Sequence, residues 1–507
     1  MEMLASLLPA GVATHAPVLI VVVPLIAAAL AAFMPKGVWA WGVAVATSVI
    51  VAVLAFGLLG QVGVHGVVSY EVGGWAPPHG IEIRLDSLNV PILLLLGVLG
   101  VLSLIYALPS VADEVSKKQQ SLFYSAFLVC FSGLIGVTVA GDAFNVFVFL
   151  EISSIATYTI IAMGVGKDRR ALTASYNYLV LGTIGATFFV IGVGFLYMAT
   201  GTLNMADMAA VLEQQGHNRV TQAAFAFIVV GLGLKAAMFP LHVWLPNAYA
   251  FAPNFVTAFL ASTATKVAFY ALVRFVFSIF HPDVAFVSMS FTWLFAVVGV
   301  IAMMVASVQA VFQTDARRLL AYSSVAQVGY MMLGLGMGTA AGLSAGLLHL
   351  MNHALMKGAL FMALGAFALN FGVRQVKDLA GLGKTMPASA MAFTVAGLSL
   401  VGVPLTVGFT SKWYLVSAAL DRGWWWAVAA LMISSLLALA YVARLLAAIW
   451  MENPPSHHGE VAQRRLAPWM MVVPMVTLAA ANVYFFFHAD PLVGLARAAA
   501  EAVMGGR

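Results

Sequence analysis

Four lysines lie deep inside apolar stretches of this 507-residue chain: Lys235 in GLGLKAAMFPLHVW, Lys266 in STATKVAFY, Lys357 in HLMNHALMKGALF and Lys412 in GVPLTVGFTSKWYL. An ammonium group in hydrocarbon costs several kcal/mol, and such residues are kept for ion or proton pathways. Desolvation disfavours the charged form of a lysine and a nearby anion favours it, so a buried lysine beside a movable carboxylate can take up and release a proton. The sparse acidic inventory offers one mid-span carboxylate, Glu151 in GDAFNVFVFLEISSIATYTI, which needs a partner: a lysine, or Ser154 or Tyr158 if neutral. Histidines extend the pattern. His349, His353 and Lys357 recur every four residues, which places three protonatable groups on one helical stripe, and Lys235 and His242 are seven apart, which on a helix is the same face. Histidines at i and i+4 are also a common metal geometry, but a cationic lysine one turn on opposes a metal, and none is expected. Arg274 and Arg444 sit toward span ends, where long stems let the charge snorkel to the headgroups. Asp142 precedes the Glu151 helix and reads as its capping acid.

These groups need helices across a bilayer to position them. The chain is 63% hydrophobic and 8% charged with a mean hydropathy of +0.99, against roughly a quarter charged in soluble proteins, so a soluble fold is excluded. Apolar runs broken by charge, Pro and Gly predict fourteen spans near 16–33, 38–60, 87–109, 121–140, 143–164, 171–198, 222–243, 255–280, 286–311, 319–338, 341–369, 388–418, 424–450 and 467–487. The fold class is therefore all-α integral membrane. The N-terminus lacks the basic region of a cleavable signal and is expected to be retained as the first span.

The net charge of +5 is scattered singly, which argues orientation rather than nucleic-acid binding. The loops after odd-numbered spans, except the seventh, hold Lys36, Lys117, Lys118, Lys167, Arg169, Arg170, Arg317, Arg318, Arg374, Lys377, Lys384, Arg464 and Arg465. The other side and the tails hold Arg84, Arg219, Arg422, Arg497 and Arg507. That asymmetry puts both termini outside the cytoplasm in a cell membrane. The lone cysteine, Cys130, builds neither a disulfide nor a metal site, and no dinucleotide fingerprint or haem motif is present. No cofactor is expected, and any redox chemistry must come from another chain. The loop 61–86 reads as an external hairpin or packing surface, and the paired histidines of PPSHHGE at 454–460 as an exposed polar loop.

Two helices are expected to be broken. Pro240 follows Lys235 and Pro404 precedes Lys412, and each proline removes a donor and disturbs the carbonyl four residues earlier. Freed backbone at membrane depth is tolerated where it lines a cavity or is repaired by another element. The mirrored order of lysine and proline suggests related helices that cross in opposite senses. It divides the chain into a three-helix region with its external loop at 1–120, five-helix units at 121–280 and 286–450 that would be inverted relative to each other, and a cytoplasmic loop, last helix and tail at 451–507.

The strings KAAMFPLHVWLPNAYAFAPNFVTAFLASTATKVAFYALVR, DARRLLAYSSVAQVGYMMLG, NHALMKGALF and GVPLTVGFTSKWYL resemble the antiporter-like subunits shared by respiratory complex I, membrane-bound hydrogenases and Mrp-type multisubunit cation/proton antiporters. The resemblance runs from about 85 to 450. It implies fourteen helices with two inverted five-helix units and assigns Glu151 as the glutamate of helix 5, Lys235 as the lysine of broken helix 7 and Lys266 as the connecting lysine. It further assigns His353 and Lys357 to the helix 11 relay and Lys412 as the terminal lysine. Lysine rather than glutamate at position 412, and only about twenty residues after helix 14, are most similar to the D-type member of the Mrp antiporters. Ser411 stands where the family more usually has glycine.

The implied activity is proton translocation in a monovalent cation (Na+) antiporter, a secondary transporter, beside a larger A-type relative and several small subunits. The alternatives are a proton-pumping subunit of a redox-driven complex I-like or hydrogenase-like assembly, an autonomous single-chain carrier, and an uncoupled channel. Lys235 paired with Glu151 is the expected switch.

Overall fold

The computed structural model describes residues 2–216, 218–280, 291–453 and 467–505. The paired histidines of 454–460, Arg464, Arg465, Arg507 and the expected start of the ninth span at 286–290 lie outside the described residues.

Nearly all of the rest is helix. In chain order the long helices are α1 (Ala10–Ala32), α2 (Gly37–His65), α3 (Val90–Glu114), α4 (Gln120–Val139), α5 (Ala143–Ala162) and α6 (Arg170–Thr200). They continue as α7a (Arg219–Lys235) and α7b (Trp244–Phe251), α8a (Asn254–Ser262) and α8b (Ala264–Val273), α9 (Phe291–Phe312), α10 (Ala316–Gly336) and α11 (Ala340–Phe371). Last come α12a (Pro387–Val401) and α12b (Val407–Asp421), α13 (Trp425–Met451), α14 (Trp469–Phe487) and α15 (Asp490–Met504). Among the described residues twelve helices are long and apolar enough to cross a membrane. The two remaining expected spans, 222–243 and 388–418, are the interrupted pairs α7a/α7b and α12a/α12b. The 61–86 loop carries a hairpin in which Val68–Glu71 pairs antiparallel with Glu82–Leu85.

Helix starts follow their capping residues. Asp142 accepts from the Asn145 N–H at 2.8 Å to open α5, Asn218 and Thr221 form a reciprocal capping box on α7a, and Asp315 and Thr339 cap α10 and α11. Each supplies an oxygen to donors that no preceding turn can satisfy. Where helices cross most closely, glycine makes room: Gly185 on α6 faces Gly231 on α7a, and Gly299 on α9 faces Gly329 on α10, each against the other's backbone.

α11 is the hub. It packs against α3, α8a, α10, α12a, α12b, α14 and the amphipathic α15, so its middle turns are removed from lipid altogether. Its polar residues His349, His353 and Lys357 are consequently fully buried.

Both arginines expected to snorkel are held by protein instead. Arg274 is 8% exposed and its two terminal nitrogens donate to the two oxygens of Asp86, each at 2.7 Å. Arg444 donates to the carbonyls of Val311 and Gln313 at 2.7 and 2.8 Å, satisfying acceptors at the C-terminal end of α9. Snorkelling assumed empty lipid beside each stem. Both stems face neighbouring segments that offer acceptors, and the guanidinium takes the nearer partner. Burial alone lifts the Asp86 carboxyl, but the Arg274 charge and the hydrogen bonds from Arg274, Asn89 and Leu88 outweigh it and hold the group below the usual carboxylate range.

Candidate functional site: a lysine–histidine line

The first cluster forms where α7a stops. Lys235 is its last residue, 6% exposed, and its Nζ donates to Ser154 Oγ at 2.6 Å and lies 3.7 Å from Glu151 Oε1. Glu151 and Ser154 are three residues apart on α5, so one helix face presents carboxylate and hydroxyl together. Ser154 is thus the lysine's hydrogen-bond partner, closer to it than the carboxylate is. The broken end is repaired locally: Trp244 Nε1 donates to the Leu234 carbonyl and Met238 N–H to that of Gly233. Residues 236–243 are not helical, and Ala237 has φ 56°. The shared face expected for Lys235 and His242 therefore does not exist, because Pro240 ends the helix before the second turn. His242 stacks on Phe239 at 5.2 Å and its Nδ1 has no hydrogen-bond partner among the described residues.

The second cluster sits at an interruption the sequence did not announce. Thr263, at φ −126° and ψ −60°, separates α8a from α8b, and Lys266 Nζ donates into the gap, to the Ala261 carbonyl and, at 3.3 Å, to Thr265 Oγ1. No proline marks this break; a run of Ser262, Thr263 and Thr265, which can bond to the backbone, was the available signal. Ser262 lies against Gly358 of α11, beside Lys357. Lys357 Nζ donates to the Leu320 carbonyl at 2.8 Å and to Ser323 Oγ at 2.5 Å, both on α10.

From there α11 carries the line onward. His353 has both ring nitrogens buried and without a hydrogen-bond partner among the described residues, and its ring lies parallel to that of His349, 3° apart with centroids at 6.3 Å. His349 Nδ1 is 2.9 Å from Ser411 Oγ and its Nε2 is 2.8 Å from Gln327 Oε1. The Tyr330 ring stacks on His349 at 5.3 Å, and Lys412 Nζ stands 4.8 Å above the same tyrosine ring. Lys412 also donates to the carbonyls of Leu400 and Val401 at 3.1 and 2.7 Å and to Ser435 Oγ at 3.1 Å. Those carbonyls are free because α12a ends at Gly402, whose φ of 91° favours glycine, and Pro404 cannot continue the helix.

The structure thus aligns His349, His353 and Lys357 on α11, links Lys412 to His349 through Tyr330, places Lys266 beside α11, holds Glu151 and Lys235 as a separate pair, and leaves out His242. Sequence reading missed Tyr330, Gln327, Ser435 and Ser323, ordinary helix residues until their neighbours are known. Ser411 was visible as a departure from the family pattern, and it is the residue that touches His349. Chemically, every buried cation here is held by carbonyls, hydroxyls or one carboxylate, all of which accept a hydrogen bond from an ammonium, while only the hydroxyls and the carboxylate can also pass a proton on.

The family model described as "NADH:quinone oxidoreductase/Mrp antiporter, TM" matches residues 140–438. The N subunit of the NADH-quinone oxidoreductase of Desulforudis audaxviator is 42% identical over 459 residues, 90% of each chain. The D subunit of the Na(+)/H(+) antiporter of Alkalihalophilus pseudofirmus is 31% identical over 441 residues, 87% of each. A chain of the Mrp complex from Dietzia superposes with a TM-score of 0.87 at 26% identity, covering 97% of both chains. A chain of the archaeal membrane-bound sulfane sulfur reductase, a respiratory membrane complex, gives 0.87 at 30% identity, covering 96% of this chain and 97% of that one. These structural relatives are parts of multisubunit membrane complexes. With the matched segment covering more than half of its length, the chain belongs to the family of NADH:quinone oxidoreductase and Mrp antiporter membrane subunits.

Proposed function

We propose that the chain is the proton-translocating subunit of a multisubunit monovalent cation/proton antiporter, with Na+ the expected cation. The observation that carries this reading is the buried line of Lys266, Lys357, His353, His349 and Lys412, together with the Glu151–Lys235 pair, with Lys235, Lys266 and Lys412 each at a helix interruption. Lysines at such depth are costly and serve proton or ion paths. Paired, Glu151 favours the charged Lys235; when the pair opens, the desolvated lysine releases its proton toward the line. Cation movement elsewhere in the complex opens the pair, and linkage makes the coupling reciprocal.

Lys235 closes the first half of helix 7 and Lys412 lies in the second half of helix 12. That opposite placement supports inverted units at 121–280 and 286–450, with fourteen crossings once each interrupted pair is counted as one. The loop cations support a cytoplasmic face on the Lys167 and Arg374 side and both termini on the other. Partners in this reading are a larger A-type relative and several small membrane subunits.

The 42% identity to the N subunit of an NADH-quinone oxidoreductase favours a second reading, a proton-pumping subunit of a redox-driven complex. Tagging the chain, extracting it mildly from its native membrane and identifying the co-purifying proteins by mass spectrometry separates them. Small integral proteins with one larger relative are expected; iron–sulfur or nickel–iron partners would overturn the antiporter reading.

A further inference from the structure

The two histidines of α11 are served differently. Neither ring nitrogen of His353 has a hydrogen-bond partner among the described residues, whereas both nitrogens of the fully buried His349 have one. Its Nε2 lies 2.8 Å from Gln327 Oε1 on α10, and an amide oxygen only accepts, so Nε2 carries a proton. Its Nδ1 lies 2.9 Å from Ser411 Oγ on α12b. With Nε2 protonated, Nδ1 is a bare acceptor in the neutral ring and a donor in the imidazolium. A hydroxyl answers both, because it donates or accepts according to where its own hydrogen points.

Ser411 has two places to send that hydrogen. With the neutral ring it points at Nδ1. With the charged ring it turns to the carbonyl of Val407 or Gly408, each 3.3 Å from Oγ, and the oxygen then accepts from the Nδ1–H. A buried helical serine ordinarily satisfies itself on the carbonyl four residues earlier, as Ser154 does on Leu150 at 2.6 Å. At Ser411 that bond is stretched, and the nearer polar atom is the histidine nitrogen.

No anion supports a charge on His349. Facing it are His353 and, a turn beyond, Lys357 on its own helix, the stacked Tyr330 of α10, Lys412 of α12b and Lys266 of α8b. The three lysines are held by carbonyls and hydroxyls. An imidazolium at 349 therefore depends on the neutral acceptors at its two nitrogens, and a hydrogen bond from a charged donor is roughly twice as strong as a neutral one.

We propose that Ser411 is a positioning residue whose hydroxyl turns to hold His349 both with one ring proton and with two, so that His349 can store a proton next to Lys412. The Ser411 proton stays on Oγ and the Gln327 contact stays on Nε2; only Nδ1 gains or loses a proton. Ser411 directly precedes Lys412, whose Nζ stands over the same Tyr330 ring that stacks on His349, so the stored proton and the terminal lysine share one wall. His353 has no such partner. The inference deepens the proton-translocation reading above and rests on it, and the test keeps the two apart.

The test follows Na+-driven proton movement in everted vesicles with the complete complex across about pH 5 to 8, the range of histidine's charge change. Ser411→Ala removes the hydroxyl without adding bulk and is expected to assemble in normal amount. The pH at which its transport falls to half on the alkaline side is expected to lie about one unit below the native one, a ten-fold loss of proton affinity and the scale of one hydrogen bond to a charged group. Ser411→Thr keeps the hydroxyl and is expected to keep the native half-point at whatever rate its extra methyl allows. An unmoved half-point in Ser411→Ala, whether at native rate or at a rate lowered equally at every pH, overturns the proposal, as does a Ser411→Thr that shifts as far as Ser411→Ala. If Lys235→Ala is inactive in the same vesicles while Ser411→Ala keeps the native profile, the role of Ser411 alone falls; if Lys235→Ala transports at the native rate, the proton-translocation reading falls with it.

Discussion

The two proline-interrupted helices hold their lysines by different means. Lys235 has an anion, Glu151, at 3.7 Å on a neighbouring helix, and that carboxylate is 22% exposed at the edge of the molecule. Lys412 has no carboxylate within ion-pair reach among the described residues; two carbonyls, one hydroxyl and the face of Tyr330 hold it. A charge held by a charge can be released by moving or protonating one side chain. A charge held by fixed backbone dipoles and a ring quadrupole has no such release. In the proposed reading, Lys235 is therefore the residue suited to switching, and Lys412 the one that responds to its neighbours. In that reading, the part-exposed Glu151 is the member of the pair open to an adjoining protein of the complex.

This contrast can be broken experimentally. Lys235→Ala removes the switched charge and is expected to abolish proton movement while the protein remains in the membrane; an active variant with unchanged coupling would remove the switch from the account. Glu151→Gln leaves Lys235 with Ser154 alone, so initial rates are expected to fall by about ten-fold or more, since a buried ammonium stripped of its anion is strongly disfavoured. Glu151→Asp, which restores the anion at longer range, is expected to regain part of that rate.

The Asp86–Arg274 pair is structural, and sharpens the comparison by lying outside the line. Asp86→Asn leaves a buried guanidinium without its anion and is expected to lower stability by about 3–5 kcal/mol in thermal unfolding of the detergent-extracted complex. The pH sign follows from the depressed Asp86 value: its contribution is complete above the ordinary carboxylate pKa of about 3.9 and is lost only as pH falls through the lower folded value. Unfolding temperature is thus expected to be independent of this pair between about pH 5 and 8. Loss of stability through it within that window would contradict the assignment.

Smaller effects are expected in the second unit. Ser411→Gly restores the residue more usual in the family and removes the hydroxyl on His349 Nδ1, a loss of about 1 kcal/mol and hence a rate lower by a few-fold. Arg444→Ala frees two carbonyls beyond α9 and is expected to lower stability slightly with transport intact.

Much of this was legible before any coordinates. Span existence follows from runs too apolar for water, and prolines beside Lys235 and Lys412 marked two interruptions because a missing donor is a local property. The stripe of His349, His353 and Lys357 needed only helical period, and α11 runs unbroken through all three. His242 failed because the face argument crossed Pro240, where the period no longer applies. The α8 interruption was hidden because Thr263 carries no proline signature, and the break is fixed by Lys266 and packing on α11. Arg274 was misread for a similar reason: Asp86 is 188 positions away in sequence, and only the fold brings it to the guanidinium.

The most direct test follows proton movement in everted vesicles that contain the complete complex, using a pH-sensitive dye after a proton gradient is formed. Adding Na+ is expected to collapse the gradient with the native chain and to leave it standing with Lys235→Ala at equal expression. Collapse of the gradient by the Lys235→Ala complex at the native rate would contradict the central claim that this lysine switches the proton path.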